Sequence, residues 1–213
     1  MYIAKRNIVA TVVILLICLN ISVRTVFAQN ASLNVEPATA TIDIDEELTV
    51  NITIKDLPDP PALFGYELVL HFDKNYLEAI SADPEPEGHF LTPTTGVPPG
   101  IFIVYPGTID NELGTVAFAV TLLAPEVGRS GSGLLCSVTF RGKAEGLALL
   151  TLEDVVLADY PLAHEIPEED YDINDSEITV IPEFSAIAMM LLLLAATAMI
   201  LFLRKKSLLE IKI

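Results

Sequence analysis

The sequence predicts an all-β domain, a sandwich of two sheets, over residues 29–181. Apolar and polar residues alternate repeatedly along this stretch with a period of two, whereas helical periodicity is nearly absent. Clusters rich in proline, glycine and aspartate separate the alternating segments and act as turn signals. Many short strands joined in this way, without intervening helices, are typical of a β-sandwich.

Residues 1–28 have the parts of a secretory signal peptide. Lys5 and Arg6 form a basic start, and the segment 8–21 that follows is mostly apolar. Val26 and Ala28 then occupy the −3 and −1 positions of a signal-peptidase site. We therefore expect cleavage after Ala28; the alternative is an uncleaved N-terminal anchor.

The predicted strands follow in order along the domain. In the segment 48–55 every even-numbered position is apolar and every odd one polar, as in a strand with one buried face. In the next strand an apolar face alternates with a mixed one: Phe64, Tyr66, Leu68, Leu70 and Phe72 against Gly65, Glu67, Val69 and His71. We also predict strands at 101–105, 114–123, 134–141, 147–152 and 177–181, and two shorter ones, 33–35 and 40–44, that pair at an edge.

The predicted domain is strongly acidic. The chain carries 29 acidic residues against 12 basic ones, and all the acidic ones but Glu183 and Glu210 lie within 29–181. That stretch holds only these basic residues: Lys55, Lys74, Arg129, Arg141 and Lys143. A net charge of about −22 argues against nucleic acid or an anionic membrane surface as a partner. We interpret the charge as a solvated acidic surface; divalent-cation binding and a basic partner are the alternatives.

Cysteine and histidine give no sign of a catalytic or metal centre. Cys18 leaves with the signal peptide, and Cys136 shares the parity of its apolar neighbours, so we expect it to be a buried, unpaired thiol. The histidines, His71, His89 and His164, lie far apart and lack metal-ligand spacing. Neither a serine-nucleophile elbow nor a phosphate-binding glycine loop is present in the sequence. We therefore predict a non-catalytic protein without a cofactor.

One acidic segment partly matches a calcium-binding loop. Asp170, Asp172 and Asn174 stand at the first three ligand positions of an EF-hand. Asp175, however, replaces the required glycine, and Ile181 replaces the bidentate glutamate. We predict a solvated acidic hairpin loop here rather than a metal site.

The C-terminal residues predict a membrane anchor. Residues 184–203 carry no charge, and Arg204, Lys205 and Lys206 follow directly. About 20 apolar residues at ~1.5 Å per residue span the ~30 Å core of a bilayer, and the basic cluster favours a cytoplasmic tail. This places the tail 204–213 in the cytoplasm and the domain 29–181 outside. There Asn30, Asn51 and Asn174 begin acceptor sequons for N-glycosylation.

Three segments together resemble the cohesin domain family. Residues 62–78, an alternating strand followed by an aromatic–Asp turn and Leu-Glu, are similar to the family's third strand. Residues 131–140 resemble a later glycine-led strand that ends in Thr-Phe, and 157–180 resemble the closing hairpin. The resemblance implies a jelly-roll β-sandwich of about nine strands, related to certain carbohydrate-binding modules.

The resemblance also implies a function. Better-known cohesins bind dockerin modules through a face that includes the third strand, and so assemble polysaccharide-degrading enzymes on a scaffold. An amide and an acid used there fall on Gly65 and Glu67, so the acid is kept and the amide is lost. We expect a protein partner, dockerin-bearing in the first hypothesis, to contact Glu67, Val69 and His71. The alternatives are a structural or adhesive envelope component and a carbohydrate-binding module.

The start of the anchor has a resemblance of its own. Pro182, Glu183 and Phe184, followed by the apolar run and the basic cluster, resemble archaeal sorting tails that begin Pro-Glu-Phe. Such tails are thought to be cut by a membrane transpeptidase that replaces the helix with a lipid anchor. In the alternative, an ordinary single-pass anchor, Pro182 simply ends the preceding strand. Both interpretations predict a cell-surface protein, and the resemblance of the tail implies an archaeal type.

Overall fold

A computed structural model of the protein describes residues 30–96, 100–161, 163–183, 190–191 and 193–200. Within these residues the chain folds as a β-sandwich of eleven strands. In chain order they are β1 (Ala31–Glu36), β2 (Thr39–Asp43), β3 (Glu47–Leu57), β4 (Leu63–Phe72), β5 (Leu77–Asp83), β6 (Ile101–Asp110), β7 (Thr115–Leu122), β8 (Gly131–Gly142), β9 (Gly146–Asp159), β10 (Tyr171–Asn174) and β11 (Ser176–Ile181). A single turn of 3₁₀ helix, Glu168–Asp170, precedes β10.

The strands form one sheet of five and one of six. The five-stranded sheet has the order β10-β1-β3-β8-β5, and the six-stranded sheet has the order β2-β11-β9-β4-β7-β6. Neighbouring strands run antiparallel except for two pairs, β1 with β10 and β2 with β11, which are parallel. The two short N-terminal strands were predicted to pair together at an edge. They lie instead in different sheets, β1 inside one and β2 at the edge of the other.

Period-two alternation builds the core between the sheets. Val50, Ile52 and Ile54 of β3 are fully buried, as the alternation of the segment 48–55 predicted. Leu68 and Leu70 of β4 are fully buried as well. The predicted parity of these two central strands is therefore confirmed.

Cys136 is buried at the same parity of β8 as Val138 and Phe140, and it is a free thiol, as expected.

At the start of β4 the parity differs from the prediction. The pairing of β4 with β9 shifts register between Leu63 and Gly65. Because of this bulge Leu63 enters the core fully, and Phe64 is only half-buried. The Phe64 ring packs instead against Tyr160, with 5.5 Å between the ring centroids.

Two strands were missed, so the sandwich has eleven strands rather than about nine. β5 contains glutamate, alanine and aspartate, which have low strand propensity, but it pairs with β8 along its length. β10 lies in the acidic segment predicted as a hairpin loop; it pairs in parallel with β1 and buries Tyr171. In both places tertiary pairing outweighs weak local preference.

The predicted signal peptide, residues 184–189 with Phe184 among them, and the basic tail lie outside the described residues. Residues 190–191 and 193–200 are helical. Among the residues that the structure describes, no helix has the length and apolar character needed to cross a membrane.

Candidate interaction face

The outer faces of the two sheets differ in chemistry. The five-stranded sheet presents hydroxyl and amide side chains on its outer face, among them Ser32, Asn34, Thr49, Asn51, Thr53, Ser137 and Thr139. Some of these bond to one another, as Thr49 and Thr139 do at 3.0 Å. The centre of the other sheet's outer face carries mainly small and apolar residues: Gly65, Val69, Ala117, Ala119, Val156 and Ala158. A polar face and a face with a mainly apolar centre thus lie on opposite sides of one sandwich.

The three residues predicted as a partner-binding site, Glu67, Val69 and His71, lie in a row on the outer face of β4. Glu67 is exposed, and Val69 is half-buried. His71 Nε2 lies 3.5 Å from Glu153 Oε2 on β9, and 37% of the His71 side chain and 60% of the Glu153 side chain are exposed. Alternation thus brings the three side chains to one face, as predicted.

Sequence reasoning missed the residues that neighbouring strands add to this row. Register places Glu67 between Ala119 of β7 and Val156 of β9. Val156 is 39% exposed, and Val104, at a register shift of the edge strand β6, is 52% exposed. The alternation of β7 was a usable signal, since its buried Val116 and Phe118 imply that Ala119 faces outward.

A shallow depression of about 180 Å³ lies at the centre of the face. Its lining includes Gly65, Glu67, Val104, Ala119, Val156 and Ala158, contributed by four adjacent strands. We call these six residues the socket.

Gly65 keeps the floor of the socket low. A Cβ atom at position 65 would lie 2.8 Å from Thr121 Oγ1 and 3.0 Å from Thr121 Cβ, too close for an unaltered neighbour. The side chain of Thr121 on β7 therefore passes beside a residue that has none, and its hydroxyl lies 3.1 Å from the carbonyl oxygen of Leu122. Gly65 stands where the cohesin resemblance implies an amide, and the packing of Thr121 beside it requires a glycine at this position.

The surroundings of the face are acidic. Glu153 and Asp154 lie exposed on β9 beside Val69, where β9 bulges and Asp154 adopts a φ of 48°. Three of the domain's basic side chains contact acidic partners: Lys55 with Glu36, Arg129 with Glu126 and Arg141 with Glu47. These three contacts neutralise only a few of the many carboxylates, so the domain keeps a large negative charge and an approaching molecule meets a negative electrostatic potential.

A buried carboxylate anchors the segment that leads into β6. The Glu126 side chain is fully buried and accepts hydrogen bonds from the backbone N–H groups of Thr94, at 2.9 Å, and Thr95, at 2.8 Å. Arg129 Nη2 lies 2.9 Å from Glu126 Oε2. The N–H of Thr94 and the hydroxyl of Thr95, with Arg129, lower the pKa of Glu126 to about 2. We call this group the Glu126 clamp; nothing in the sequence pattern pointed to it.

The buried titratable groups beneath β4 have no catalytic arrangement. Tyr66 is buried, which confirms that it is a core residue, and its hydroxyl donates a 2.7 Å hydrogen bond to the carbonyl oxygen of Leu135. Burial raises the pKa of the Cys136 thiol, and burial lowers the pKa of His89. A protonated, fully enclosed thiol is a poor nucleophile.

No metal-binding cluster of three or more histidine, cysteine, aspartate or glutamate side chains occurs in the described part of the chain. The acidic segment with partial EF-hand spacing is 3₁₀ helix and strand.

The other predicted sites are placed as follows. Asn30 and Asn174 are exposed, and Asn174 Nδ2 donates to Asn34 Oδ1 at 2.9 Å. Asn51 is half-buried on the outer face of β3. Pro182 and Glu183 are exposed directly after β11. None of these residues lies on the face that carries the socket.

The structure is similar to solved cohesin domains. A third cohesin ScaC from Acetivibrio cellulolyticus, in complex with the ScaB dockerin, is 16% identical; the match covers 71% of this chain and 99% of that one, with a TM-score of 0.55. A non-cellulosomal cohesin from the hyperthermophilic archaeon Archaeoglobus fulgidus is 14% identical, with coverage of 71% and 91% and a TM-score of 0.53. A type II cohesin from the cellulosome of Acetivibrio cellulolyticus is 18% identical, with coverage of 70% and 95% and a TM-score of 0.53. These likenesses show that the chain has a cohesin-like fold.

No protein-family model and no curated protein matches the chain.

Proposed function

We propose that this protein is a non-catalytic module that docks a protein partner on the outer face of its six-stranded sheet. The observation that carries the proposal is the contrast between the two outer faces. One is a ladder of hydroxyl and amide groups, whereas the other presents an apolar centre beside exposed carboxylates. A contiguous apolar patch with a polar rim is the usual composition of a protein interface. We call the socket together with Val69 and His71 the docking face.

The cohesin-like fold supports this proposal. One of the similar structures is a cohesin in complex with a dockerin, and dockerin-bearing proteins are therefore the first partner class to test. A link to polysaccharide degradation belongs to the same hypothesis. Because Gly65 stands where better-known cohesins have an amide, we expect a partner whose contacts differ from theirs at this point.

We also propose that the module is displayed at a cell surface. The signal-peptide pattern of residues 1–28 and the apolar run 184–203 support export and anchoring, by a helix or by a lipid that replaces it. Pro182 and Glu183 follow β11 directly, so the domain would stand close to its anchor.

Capture experiments with the full chain test the docking proposal. Val69→Arg adds a long charged side chain at the centre of the docking face, and its matched control, Thr49→Arg, adds the same side chain to the opposite sheet. A specific partner should be retained by the wild type and by Thr49→Arg and lost with Val69→Arg, while circular dichroism shows that both variants are folded at the temperature of the assay. Retention of every partner by Val69→Arg would refute docking on this face.

Glu67→Gln refines the same test. Removal of the exposed carboxylate should weaken binding more at low salt than at high salt, because salt screens the charge of the wild type. Equal loss at both salt concentrations would show that Glu67 does not act through its charge.

A further inference from the structure

The socket differs from the rest of the docking face in shape as well as in polarity. We propose that it receives one branched aliphatic side chain of the partner, leucine or isoleucine, while a lysine or arginine beside that side chain contacts Glu67. This inference rests on the proposed docking function and names the chemistry of its partner.

The size of the socket fits a single side chain. Its volume is about 180 Å³. An aliphatic cavity of roughly 150 Å³ in another protein holds one benzene molecule. The volume of the socket is thus of the size needed by one side chain of four or five carbon atoms. The low floor at Gly65 gives this depth, because any larger residue there would displace Thr121.

The lining selects an apolar occupant. Val104, Val156, Ala119 and Ala158 offer methyl groups, and the nearby Thr121 hydroxyl lies within hydrogen-bond distance of a backbone carbonyl of its own chain. A polar group placed among these methyl groups would leave water for few polar partners, the side chains of Glu67 at the rim and of Thr121, and this is unfavourable. A branched aliphatic group has no hydrogen bonds to water to lose, and it covers the exposed Val104 and Val156.

Charge selects the neighbour of that occupant. Glu67 is exposed at the rim and, by register, lies between Ala119 and Val156 of the lining. The acidic surroundings reinforce its attraction for a cation. On a partner helix, residues three or four positions apart lie on one side, so a leucine and a lysine at that spacing reach the socket and Glu67 together.

Synthetic helices provide the probe. An alanine-rich, end-capped helical peptide with one leucine, and one lysine four residues later, is titrated into the full chain carrying labelled valine and alanine methyl groups. Methyl resonances of Val104, Ala119, Val156 and Ala158 should shift. A matched peptide with alanine in place of the leucine should bind about tenfold more weakly, because the burial of a leucine side chain raises the binding affinity by about this factor. A peptide with glutamate in place of the lysine should also bind more weakly.

Variants of the protein complete the test. Ala119→Phe and Ala158→Leu both fill the socket from different strands, and each should abolish the preference for leucine over alanine. The control, Ala38→Phe, alters an exposed alanine in the β1–β2 connection and should leave the preference intact. Equal binding of the leucine and alanine peptides to the wild type, or a preference that survives both filling variants in folded protein, would overturn the proposal.

The outcome is separable from that of the docking proposal. If Val69→Arg abolishes partner capture while both socket variants bind the partner normally, the docking face stands and the socket is refuted. If Val69→Arg also has no effect, the docking function itself is refuted.

Discussion

At the scale of one residue, Glu126 shows how a carboxylate can be buried and still have a pKa below the usual value for glutamate. Its carboxylate leaves water completely but gains N–H, hydroxyl and guanidinium donors at both oxygens. Hydrogen bonds to the ionised form are what lower a carboxyl pKa. The clamp therefore ties the segment of Thr94 and Thr95, which leads towards β6, to the turn between β7 and β8.

The clamp predicts a specific response to acid. The pKa of Glu126 is lowered from 4.5 to about 2 in the folded protein, so its stabilising contribution is complete above pH 4.5 and is lost as the pH falls towards 2. Glu126→Gln should be less stable than the wild type at neutral pH, and the difference should shrink across this range. Urea denaturation at several pH values measures it. Glu87→Gln, at an exposed loop position, is the control; a difference that does not depend on pH would contradict the assignment.

At the scale of a strand, β4 separates two roles by parity. From Gly65 onward its even positions fill the core and its odd positions form the docking face, so adjacent residues have different roles. Leu70→Asn should lower the free energy of unfolding by about 3 kcal/mol or more, because it leaves both a cavity and an unpaired amide. Val69→Asn, one residue away, should cost about 1 kcal/mol, within the range of strand propensities. Chemical denaturation checks both; similar losses would mean that the parity of β4 is misassigned.

Elements whose own residues alternate could be predicted from the sequence. β3, β4 and β8 carry strong apolar periodicity, and their burial followed it, including that of Cys136. β5 and β10 could not be predicted, because pairing with β8 and β1 decides their conformation and their side chains carry little signal. The row of Glu67, Val69 and His71 followed from alternation within one strand. Val104, Val156 and Ala158 depend on the register between strands, which no local pattern specifies.

For the whole molecule, the acidic charge is the dominant long-range property. Repulsion among many carboxylates destabilises a compact state, and mobile ions screen it. Sodium chloride should therefore raise the melting temperature of the protein from its value at low ionic strength. Because the segment with partial EF-hand spacing has Asp175 in place of the required glycine and Ile181 in place of the bidentate glutamate, calcium chloride at equal ionic strength should give a similar increase. A markedly larger increase with calcium, reversed by a chelator, would instead reveal specific binding.

The parallel pairs β1–β10 and β2–β11 join the first strands of the domain to the last ones, once in each sheet. Both sheets therefore remain open at these positions until the final strands have been synthesised. Loop closure over nearly the whole domain is slow, since its entropic cost precedes any gain from the contacts. We therefore expect neither sheet to be completed until β10 and β11 have been synthesised, so that the sandwich folds after synthesis rather than during it. Late folding of this kind suits the export that we propose, because a secretion channel accepts an unfolded chain.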